Sequence, residues 1–347
     1  MHSSAFAAAV AEFGEPRGYL AVASIGIPPR SAVEALRADL DAWSIGWRDP
    51  QGYDAGIERA RESYGRLVNV PPTRIAQGSQ TSVLASVVAA AVPAGAEVLC
   101  IDGDFSSIMF PFQQRPDIRV RTVPLGALAE SITDDTWLVV FSLVQSATGE
   151  VSDGAAVVEA ASRVGAYTMC DFTQASGVMP TDASPYDVTV CHTYKWLCAP
   201  RGVAFMTLSE RFDELMTPLQ AGWYAGDDVW RSTYGPAMKL AADARRFDVS
   251  PAWQAWIGAE QSLALFAGLD LAEVWAYTSS LGDALCDAVG IPQQHRAIVT
   301  WPDSSGDDLG KLMEAGIRCS GRAGRLRASF HLWNDLTDVD AVAKAIR

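Results

Sequence analysis

Short apolar runs alternate with amphipathic segments along the middle of the chain. Each run is bounded by glycine, proline, aspartate or serine, a pattern that is typical of buried strands. A helix is predicted between two of them, over residues 154–164. The order strand, helix, strand therefore repeats, and it predicts an α/β fold with a mainly parallel sheet. The runs lie at residues 96–104, 137–142, 166–171, 187–191 and 201–208.

The pattern changes after residue 208. Residues 220–234 are rich in glycine and aromatic side chains, which predicts a long loop. We predict a large domain over residues 18–235 and a small α+β domain over residues 236–347, on which residues 1–17 pack. The elements expected in the second part are a long helix from about residue 253, strands near 297–301, 317–320 and 326–332, and a final helix with Thr337 as its candidate N-cap.

Composition and charge exclude several classes of protein. The chain has 347 residues, 49% of them hydrophobic, and a formal net charge of −14. Nucleic-acid binding needs clustered lysine and arginine, so no nucleic-acid partner is expected. The longest stretch of small apolar residues, 83–92, is far shorter than the roughly 20 residues of a membrane span. The N-terminus lacks a basic region followed by a long apolar core, so we expect no signal peptide, no membrane partner and a cytoplasmic location.

Six cysteines are scattered along the chain without CxxC pairs. Four of them lie in or beside apolar runs, where cysteine behaves as a small hydrophobic residue. Neither a disulfide framework nor a metal site is therefore expected.

Two residues follow predicted strands at positions where ligands bind. Asp171 ends the run 166–171, and Lys195 comes shortly after the run 187–191. In open α/β sheets the carboxyl ends of the strands form the ligand crevice. Alone, such an aspartate is more often a cap or turn residue, and a lysine is more often a solvated charge. Burial among apolar neighbours would lower the pKa of the lysine from about 10.4. The neighbours of Lys195 are Tyr194, Trp196, Leu197 and Cys198.

A carboxylate and an amine that face one crevice have a specific use in pyridoxal phosphate chemistry. The lysine forms a Schiff base with the aldehyde of that cofactor, and the aspartate holds a proton on its pyridine nitrogen, so that the ring accepts electrons from the substrate. We therefore predict Asp171 and Lys195 as catalytic residues, with pyridoxal 5'-phosphate as cofactor and a small amino acid as substrate.

The surrounding sequence resembles a known family. Asp171 and Gln174 in DFTQASG, followed by HTYKWLCAPRG, are similar to motifs of the class V aminotransferase family of pyridoxal phosphate enzymes. That family includes cysteine desulfurases, C–S lyases, kynureninase and isopenicillin N epimerase. The similarity runs from Tyr19 to Asn334. It implies the fold type I architecture of pyridoxal-phosphate-dependent transferases and a homodimer with two shared active sites, but it is much less specific for the reaction.

The resemblance implies a cofactor site assembled from several parts of the chain. Gly78, Ser79 and Gln80 lie between a strand-like segment at 74–76 and a helix that starts near residue 82. Free N–H groups at such a helix start bind phosphate, although serine there is also an ordinary N-cap. The other cofactor contacts of the family fall on Phe105, Gln174, His192, Tyr194 and Ser250.

These five residues would surround the cofactor. Phe105 would stack on the pyridine ring, and Gln174 would bond its phenolic oxygen. His192 and Tyr194 would contact the phosphate, and Ser250 would reach the phosphate of the neighbouring subunit. A core phenylalanine and a core histidine bonded to backbone are the alternatives for Phe105 and His192.

The substrate side of the site is expected near the C-terminus. The segment RLRASFHLWN at 325–334 matches the family motif R-x-S-x-x-x-Y-N, with Trp333 in place of the tyrosine. Arg327 would therefore bind the substrate α-carboxylate, which a guanidinium holds bidentately. Arg325 and Arg327 share one face of a strand, so a solvated surface pair is the alternative. The resemblance adds three further substrate contacts, at Gln145, Ala23 and Ser24, the last two of which an ordinary N-terminal loop would also explain.

One departure from the family bears on the reaction. Cysteine desulfurases of the closest type carry a mobile cysteine loop before the arginine motif, but here residues 321–324 (GRAG) lead directly into Arg325. Cys319 lies earlier, on a predicted strand. A C–S lyase that eliminates a β-substituent directly, without a persulfide, is therefore favoured. An aminotransferase or an amino-acid epimerase would use the same site, and the intact cofactor motif opposes a third alternative, a non-catalytic binding protein.

Overall fold

The fold is built around a seven-stranded sheet. The computed structural model describes residues 2–347. In chain order the strands are β1 (Ile75–Gly78), β2 (Glu97–Ile101), β3 (Arg119–Val123), β4 (Thr136–Ser142), β5 (Tyr167–Asp171), β6 (Val188–His192) and β7 (Ala204–Leu208). They lie in the order β1-β7-β6-β5-β4-β2-β3, and β7 is antiparallel to both of its neighbours, while the pairs from β6 to β3 are parallel. The predicted α/β fold with a mainly parallel sheet is confirmed.

Both faces of this sheet are buried. Alternate residues of the central strands belong to two apolar clusters on opposite faces. Strands buried on both faces contain continuous apolar runs, which explains why the sequence predicts β2, β4, β5, β6 and β7. It does not predict β3, because this edge strand (RVRTV) alternates with charged residues and is partly exposed. The clusters include Leu99, Val139, Phe141 and Cys170 on one face and Val98, Val140, Met169 and Val190 on the other.

Helices cover the sheet and form much of the C-terminal region. The helix predicted over residues 154–164 is present as α6, whereas the long helix expected from residue 253 is two helices. Gly268 follows the first of them, and Asp270 caps the second by accepting a hydrogen bond from Ala272 N at 2.9 Å. The α-helices are α1 (Ser4–Ala11), α2 (Arg30–Ser44), α3 (Asp54–Leu67), α4 (Thr81–Ala91), α5 (Ser106–Gln113), α6 (Gly154–Val164), α7 (Glu210–Asp213), α8 (Trp253–Ala267), α9 (Leu271–Val289), α10 (Asp307–Glu314) and α11 (Leu336–Ile346).

A second, antiparallel sheet has three strands. These are β8 (Ile298–Pro302), β9 (Ser320–Arg322) and β10 (Arg325–Ser329), in the order β8-β10-β9. The strand expected at 317–320 begins only at Ser320, because Arg318 before it forms backbone hydrogen bonds with the N-terminal segment instead. Arg318 N donates to Gly18 O at 2.7 Å, and Leu20 N donates to Arg318 O at 2.8 Å.

The chain leaves β10 earlier than its apolar pattern predicts. Ser329 ends the strand, and His331 N then donates to the side chain of Asn334 at 2.8 Å, which forms a turn. Asp335, not Thr337, caps α11, because its carboxylate accepts a hydrogen bond from Thr337 N at 2.8 Å. A serine, threonine or aspartate within two residues is an equally good cap, so the sequence alone does not separate them.

The N-terminal helix contacts the C-terminal helices. Ser3 Oγ donates to Glu273 of α9 at 2.6 Å, and the ring of Phe6 lies 5.2 Å from the ring of Tyr277. These contacts join the start of the chain to α9. No helix within residues 2–347 has the length and apolar character needed to cross a membrane.

Candidate active site

Asp171 and Lys195 meet at the carboxyl ends of two neighbouring strands. Asp171 is the last residue of β5, and Lys195 lies three residues beyond the end of β6, which is parallel to β5. Both side chains are buried. Burial raises the pKa of Asp171 to about 6, although the ammonium group of Lys195 opposes the rise. Burial likewise lowers the pKa of Lys195 to about 8, and Asp171 opposes that fall.

Threonine and serine hydroxyls hold this edge of the sheet together. Asp171 Oδ1 accepts a hydrogen bond from Thr173 N at 2.8 Å, and Thr173 Oγ1 accepts one from His192 N at 3.0 Å. Asp104 accepts hydrogen bonds from Ser142 N at 2.8 Å and Ser142 Oγ at 2.7 Å, and so links the end of β4 to the turn after β2. Thr173 and Asp104 match no motif in the sequence, and their only signal is that each lies within two residues of a predicted site residue.

Aromatic rings surround the lysine amine. Lys195 Nζ lies 5.2 Å from the centroid of the Phe105 ring and 5.7 Å from that of Tyr194. Phe105 is 39% exposed, at the N-cap of α5. A core phenylalanine would be buried, so the structure contradicts the alternative explanation of this residue. A flat aromatic ring in front of the amine is the arrangement that a stacked heterocycle requires.

The residues predicted to bind phosphate, Gly78, Ser79 and Gln80, lie level with His192 across the sheet. Gly78 ends β1 and pairs with Ala204 of β7, and Ala204 pairs on its other side with His192 of β6. Gln80 is the N-cap residue of α4 but makes no capping hydrogen bond with its side chain, and Ser79 precedes it. A Cβ at Gly78 would lie 2.7 Å from Leu84 Cδ2, so a larger residue here would displace the Leu84 side chain of α4.

Gln174 is fully engaged with neighbouring protein groups. Its Nε2 donates to Ala23 O at 3.0 Å and to Ser146 Oγ at 3.1 Å, and its Oε1 accepts from Trp196 Nε1 at 2.7 Å. To bond the phenolic oxygen of a cofactor, as predicted, the amide must share one of these donors. The most exchangeable is the one given to the Ser146 hydroxyl, which is itself a donor.

Arg327 contacts the same region through Ser24 and Ser146, and it is 1% exposed. Its NH2 donates to Ser24 Oγ at 2.7 Å, its Nε donates to Ser320 Oγ at 3.0 Å, and its NH1 donates to the carbonyl oxygen of Ser146. It is not the solvated surface residue of the alternative explanation. Ala23, beside Ser24, is held by a hydrogen bond from its N–H to Ser329 Oγ at 3.1 Å.

Ser250 does not join this group within one chain. It is exposed, and among residues 2–347 it has no hydrogen bond to the residues around Lys195. The nearby Asp248, which the sequence analysis misses, is buried and accepts hydrogen bonds from Gln77 N at 2.8 Å and Arg61 NH2 at 2.6 Å. The segment that carries Ser250 is thus fixed to β1, next to the residues predicted to bind phosphate.

The sequence matches the family model described as aminotransferase class-V over residues 52–301. This match covers most of the chain, and the protein therefore belongs to the class V aminotransferase family. The predicted family is confirmed, and with it pyridoxal phosphate as the cofactor that this family uses.

Similar proteins carry the names of different activities. Isopenicillin N epimerase from Streptomyces clavuligerus is 25% identical over 97% of this chain and 98% of its own. Cysteine desulfurase CsdA from Escherichia coli is 24% identical over 94% of this chain and 92% of its own. The solved structure of the cystine C–S lyase C-DES with its reaction product cysteine persulfide has a TM-score of 0.85 and 20% identity, over 95% of this chain and 97% of that one. These similarities confirm the fold without selecting a reaction.

The residues of the site fit the cofactor. Among residues 2–347, His192 Nε2 and Gln145 Nε2 are buried and have no hydrogen-bond partner. Burial lowers the pKa of His192 to about 4, with Arg201 and Lys195 adding to the effect, so its imidazole is neutral. Buried polar atoms without partners are costly, and a ligand that bonds them removes the cost. A polar ligand bound at this edge of the sheet would remove this cost for each atom that it bonds.

Proposed function

We propose that this protein is a pyridoxal-phosphate-dependent C–S lyase that eliminates the β-substituent of a sulfur-bearing amino acid directly. The observation that carries the proposal is the connection between β9 and β10. It is a turn of two residues, Ala323 and Gly324, both with positive φ. In the desulfurases that the sequence resembles, a mobile cysteine loop precedes the arginine motif, and this hairpin contains no such segment.

The cysteines support a route without a persulfide on the protein. A thiolate is needed to attack sulfur, and reactive cysteines have lowered pKa values. Burial instead raises the pKa of Cys319 to about 12, and it raises the pKa of Cys191 to about 12 as well. Cys198, the cysteine nearest in sequence to Lys195, is also buried, and burial raises its pKa. We infer that sulfur leaves with the electron pair of the C–S bond, without attack by a protein thiol.

Each site residue then has a defined task. The bound cofactor supplies a ring that withdraws electrons from the substrate Cα. Lys195 in its neutral form takes the proton from Cα, which its pKa of about 8 permits near neutral pH. Asp171 holds positive charge at the ring nitrogen. Arg327 binds the α-carboxylate and so orients the Cα–H bond. Gln145 Nε2 is a buried donor without a partner among residues 2–347.

A second candidate is an amino-acid epimerase. It is favoured by one observation, the alignment of the chain with the Streptomyces epimerase over nearly the full length of both proteins. An epimerase would use the same Lys195 and Asp171 but would return a proton to the opposite face of Cα. An aminotransferase would deliver the proton to the cofactor and not to Cα. The three reactions therefore differ in the destination of one proton and in the fate of the β-substituent.

The active form is proposed to be a homodimer in which Ser250 serves the neighbouring site. This role is supported by the exposure of Ser250 and by the fixed position of its segment beside β1. A chain that lends a phosphate contact to its neighbour requires such an exposed, well-anchored segment.

Products formed in deuterium oxide distinguish these reactions. Purified protein loaded with pyridoxal phosphate is incubated with L-cystine, L-cysteine and S-alkyl cysteines. We expect pyruvate with a deuterated methyl group, ammonia and a sulfur-containing product, and none of them with Lys195→Ala. Recovered amino acid that is racemised and deuterated at Cα, without pyruvate, would support the epimerase. A keto acid that retains its β-substituent would support the aminotransferase, and either result would overturn the lyase.

A further inference from the structure

Arg327 carries a buried positive charge without a counter-ion in the protein. Its three side-chain nitrogens donate to the neutral oxygens of Ser24, Ser146 and Ser320. Within residues 2–347 it forms no ion pair with a carboxylate. Burial lowers its pKa to about 10, and the charge of Arg322 lowers it further in the same direction. A buried charge that is paired only with neutral groups is stabilised when an anion binds.

A second guanidinium approaches the same hydroxyl. Arg322, at the end of β9, places its NH2 3.4 Å from Ser24 Oγ, the atom that Arg327 NH2 contacts at 2.7 Å. The remaining contact of the Arg322 guanidinium is its own hairpin backbone, where NH1 donates to Gly321 O at 2.7 Å. Arg322 also forms no ion pair within the described chain. Two like charges therefore converge on one neutral oxygen.

The charge of Arg322 is directed toward the site. It contributes to the lowered pKa of Lys195, after burial and Arg327, and it opposes the burial-induced rise in the pKa of Tyr194. Arg322 is exposed, whereas Arg327 is buried behind it. A ligand that enters from solvent thus meets Arg322 first and Arg327 last.

We propose that Arg322 forms a second anion subsite, which selects amino acids that carry another acidic group on the side chain. This inference rests on the proposed function, in which Arg327 binds the α-carboxylate. One carboxylate on Arg327 neutralises the inner charge and leaves the outer one unpaired. A second carboxylate or sulfinate at the far end of the substrate would pair with Arg322, because a guanidinium binds a carboxylate through two parallel hydrogen bonds. The substrate class is therefore dianionic, such as a disulfide or thioether amino acid that ends in an acidic group.

Two simple acids test this subsite without any reaction. Glutarate has two carboxylates and valerate has one on a chain of the same length, and neither has an amino group that could react. Dissociation constants are measured by calorimetry with the cofactor-loaded wild type and with Arg322→Gln. Wild type should bind glutarate at least tenfold more tightly than valerate, about 1.4 kcal/mol. Arg322→Gln should lose this preference and keep its affinity for valerate.

The hairpin offers a matched control. Arg325 lies directly opposite Arg322 in the β9–β10 pair, but its guanidinium donates to the oxygens of Thr300 at 3.1 Å and has no contact with Ser24. Arg325→Gln removes the same charge from the same hairpin, and it should leave the preference for glutarate intact.

Other outcomes separate the two hypotheses. If Arg322→Gln weakens both acids equally, Arg322 shares the first carboxylate and the second subsite is wrong. It is also wrong if wild type shows no preference, or if Arg325→Gln has the same effect as Arg322→Gln. If Arg327→Gln weakens neither acid while Arg322→Gln still removes the preference, the α-carboxylate role in the proposed function fails instead.

Discussion

Lys195 is a basic side chain in a place that stabilises an ammonium ion poorly. Burial is the main reason that its pKa is about 8, and the charges of Arg327 and Arg322 act in the same direction. An ordinary lysine, with a pKa near 10.4, is almost entirely protonated at pH 7. The neutral amine is the nucleophile toward an aldehyde, so the reactivity of Lys195 depends on pH within the physiological range.

The rate at which cofactor-free protein combines with pyridoxal phosphate should therefore rise with pH. Below pH 8 the neutral fraction of Lys195 increases about tenfold per pH unit, and above it the fraction levels off. The measurement is stopped-flow absorbance between pH 6 and 9, followed by borohydride reduction and peptide mapping. The label should lie on Lys195, and Lys195→Ala should take none. A rate that stays flat from pH 6 to 8, or a label on another lysine, would contradict this assignment.

Asp171 should matter more for turnover than for holding the cofactor. Asp171→Asn keeps the shape and the hydrogen bond from Thr173 N but removes the charge. We expect kcat to fall about 10²–10³-fold, as when other preorganised electrostatic groups are removed. Absorbance of the purified variant should show that a substantial part of the cofactor remains bound. Turnover near the wild-type rate would refute the role of the charge.

Single residues differ in how well the sequence predicts them. Asp171 ends an apolar run and Lys195 comes four residues after another, so their place near the strand ends follows from local patterns. Thr173 and Asp104 could not be predicted, because their hydrogen bonds connect segments that are distant in sequence, such as residues 104 and 142. The engagement of Gln174 by Ala23 O is likewise a contact between distant segments that no local pattern indicates.

At the scale of elements, the β9–β10 hairpin is the feature on which the proposed direct elimination rests. Ala323 and Gly324 have φ of 50° and 70°, the left-handed conformations that a two-residue hairpin turn requires. The turn is therefore as short as a hairpin connection normally becomes. Cys319 precedes β9, and Arg327 lies on β10.

Variants on the two sides of this hairpin should behave differently. Cys319→Ala should keep most of its activity on a cysteine-derived substrate, because the proposed elimination uses no protein thiol. Arg327→Ala should raise KM and lower kcat/KM about 10–100-fold, as expected when a charge-assisted hydrogen bond worth about 1.5–3 kcal/mol is lost. Steady-state kinetics of pyruvate release provide the measurement. Loss of sulfur release in a folded, cofactor-loaded Cys319→Ala protein would restore the persulfide route.

Helices and strands can be predicted from the sequence where buried, apolar positions recur along them. The central strands are buried on both faces and show as apolar runs, whereas β3 is an edge strand with alternating charges. The boundary between α8 and α9 is less visible, because apolar residues continue on both sides of the short break at residues 268–270. The start of β9 depends on the N-terminal segment that lies beside residue 318, a partner that the local sequence does not reveal.

At the scale of the whole molecule, several large apolar side chains remain exposed. Trp47 is 82% exposed and Tyr234 is 87% exposed, and Ile45 and Leu219 are also largely exposed. Single exposed apolar residues are common, whereas exposed apolar residues that form one contiguous patch favour a protein–protein interface. These side chains are the candidate contacts of the proposed homodimer.

The homodimer and the shared site can be tested together by mixing two inactive variants. Lys195→Ala lacks the essential amine, and Ser250→Glu places a negative charge where the phosphate of the neighbour would bind, which like-charge repulsion disfavours. Each variant alone should have little activity. If Ser250 serves the neighbouring site, a mixed dimer has one site with both wild-type residues, because the Lys195 of one chain meets the Ser250 of the other.

Co-refolding equal amounts of the two variants should then restore about a quarter of wild-type activity, given random pairing and two sites per dimer. If Ser250 serves its own chain, the mixture should stay as inactive as its components, and sedimentation that finds a fully active monomer at the assay concentration would refute the dimer itself.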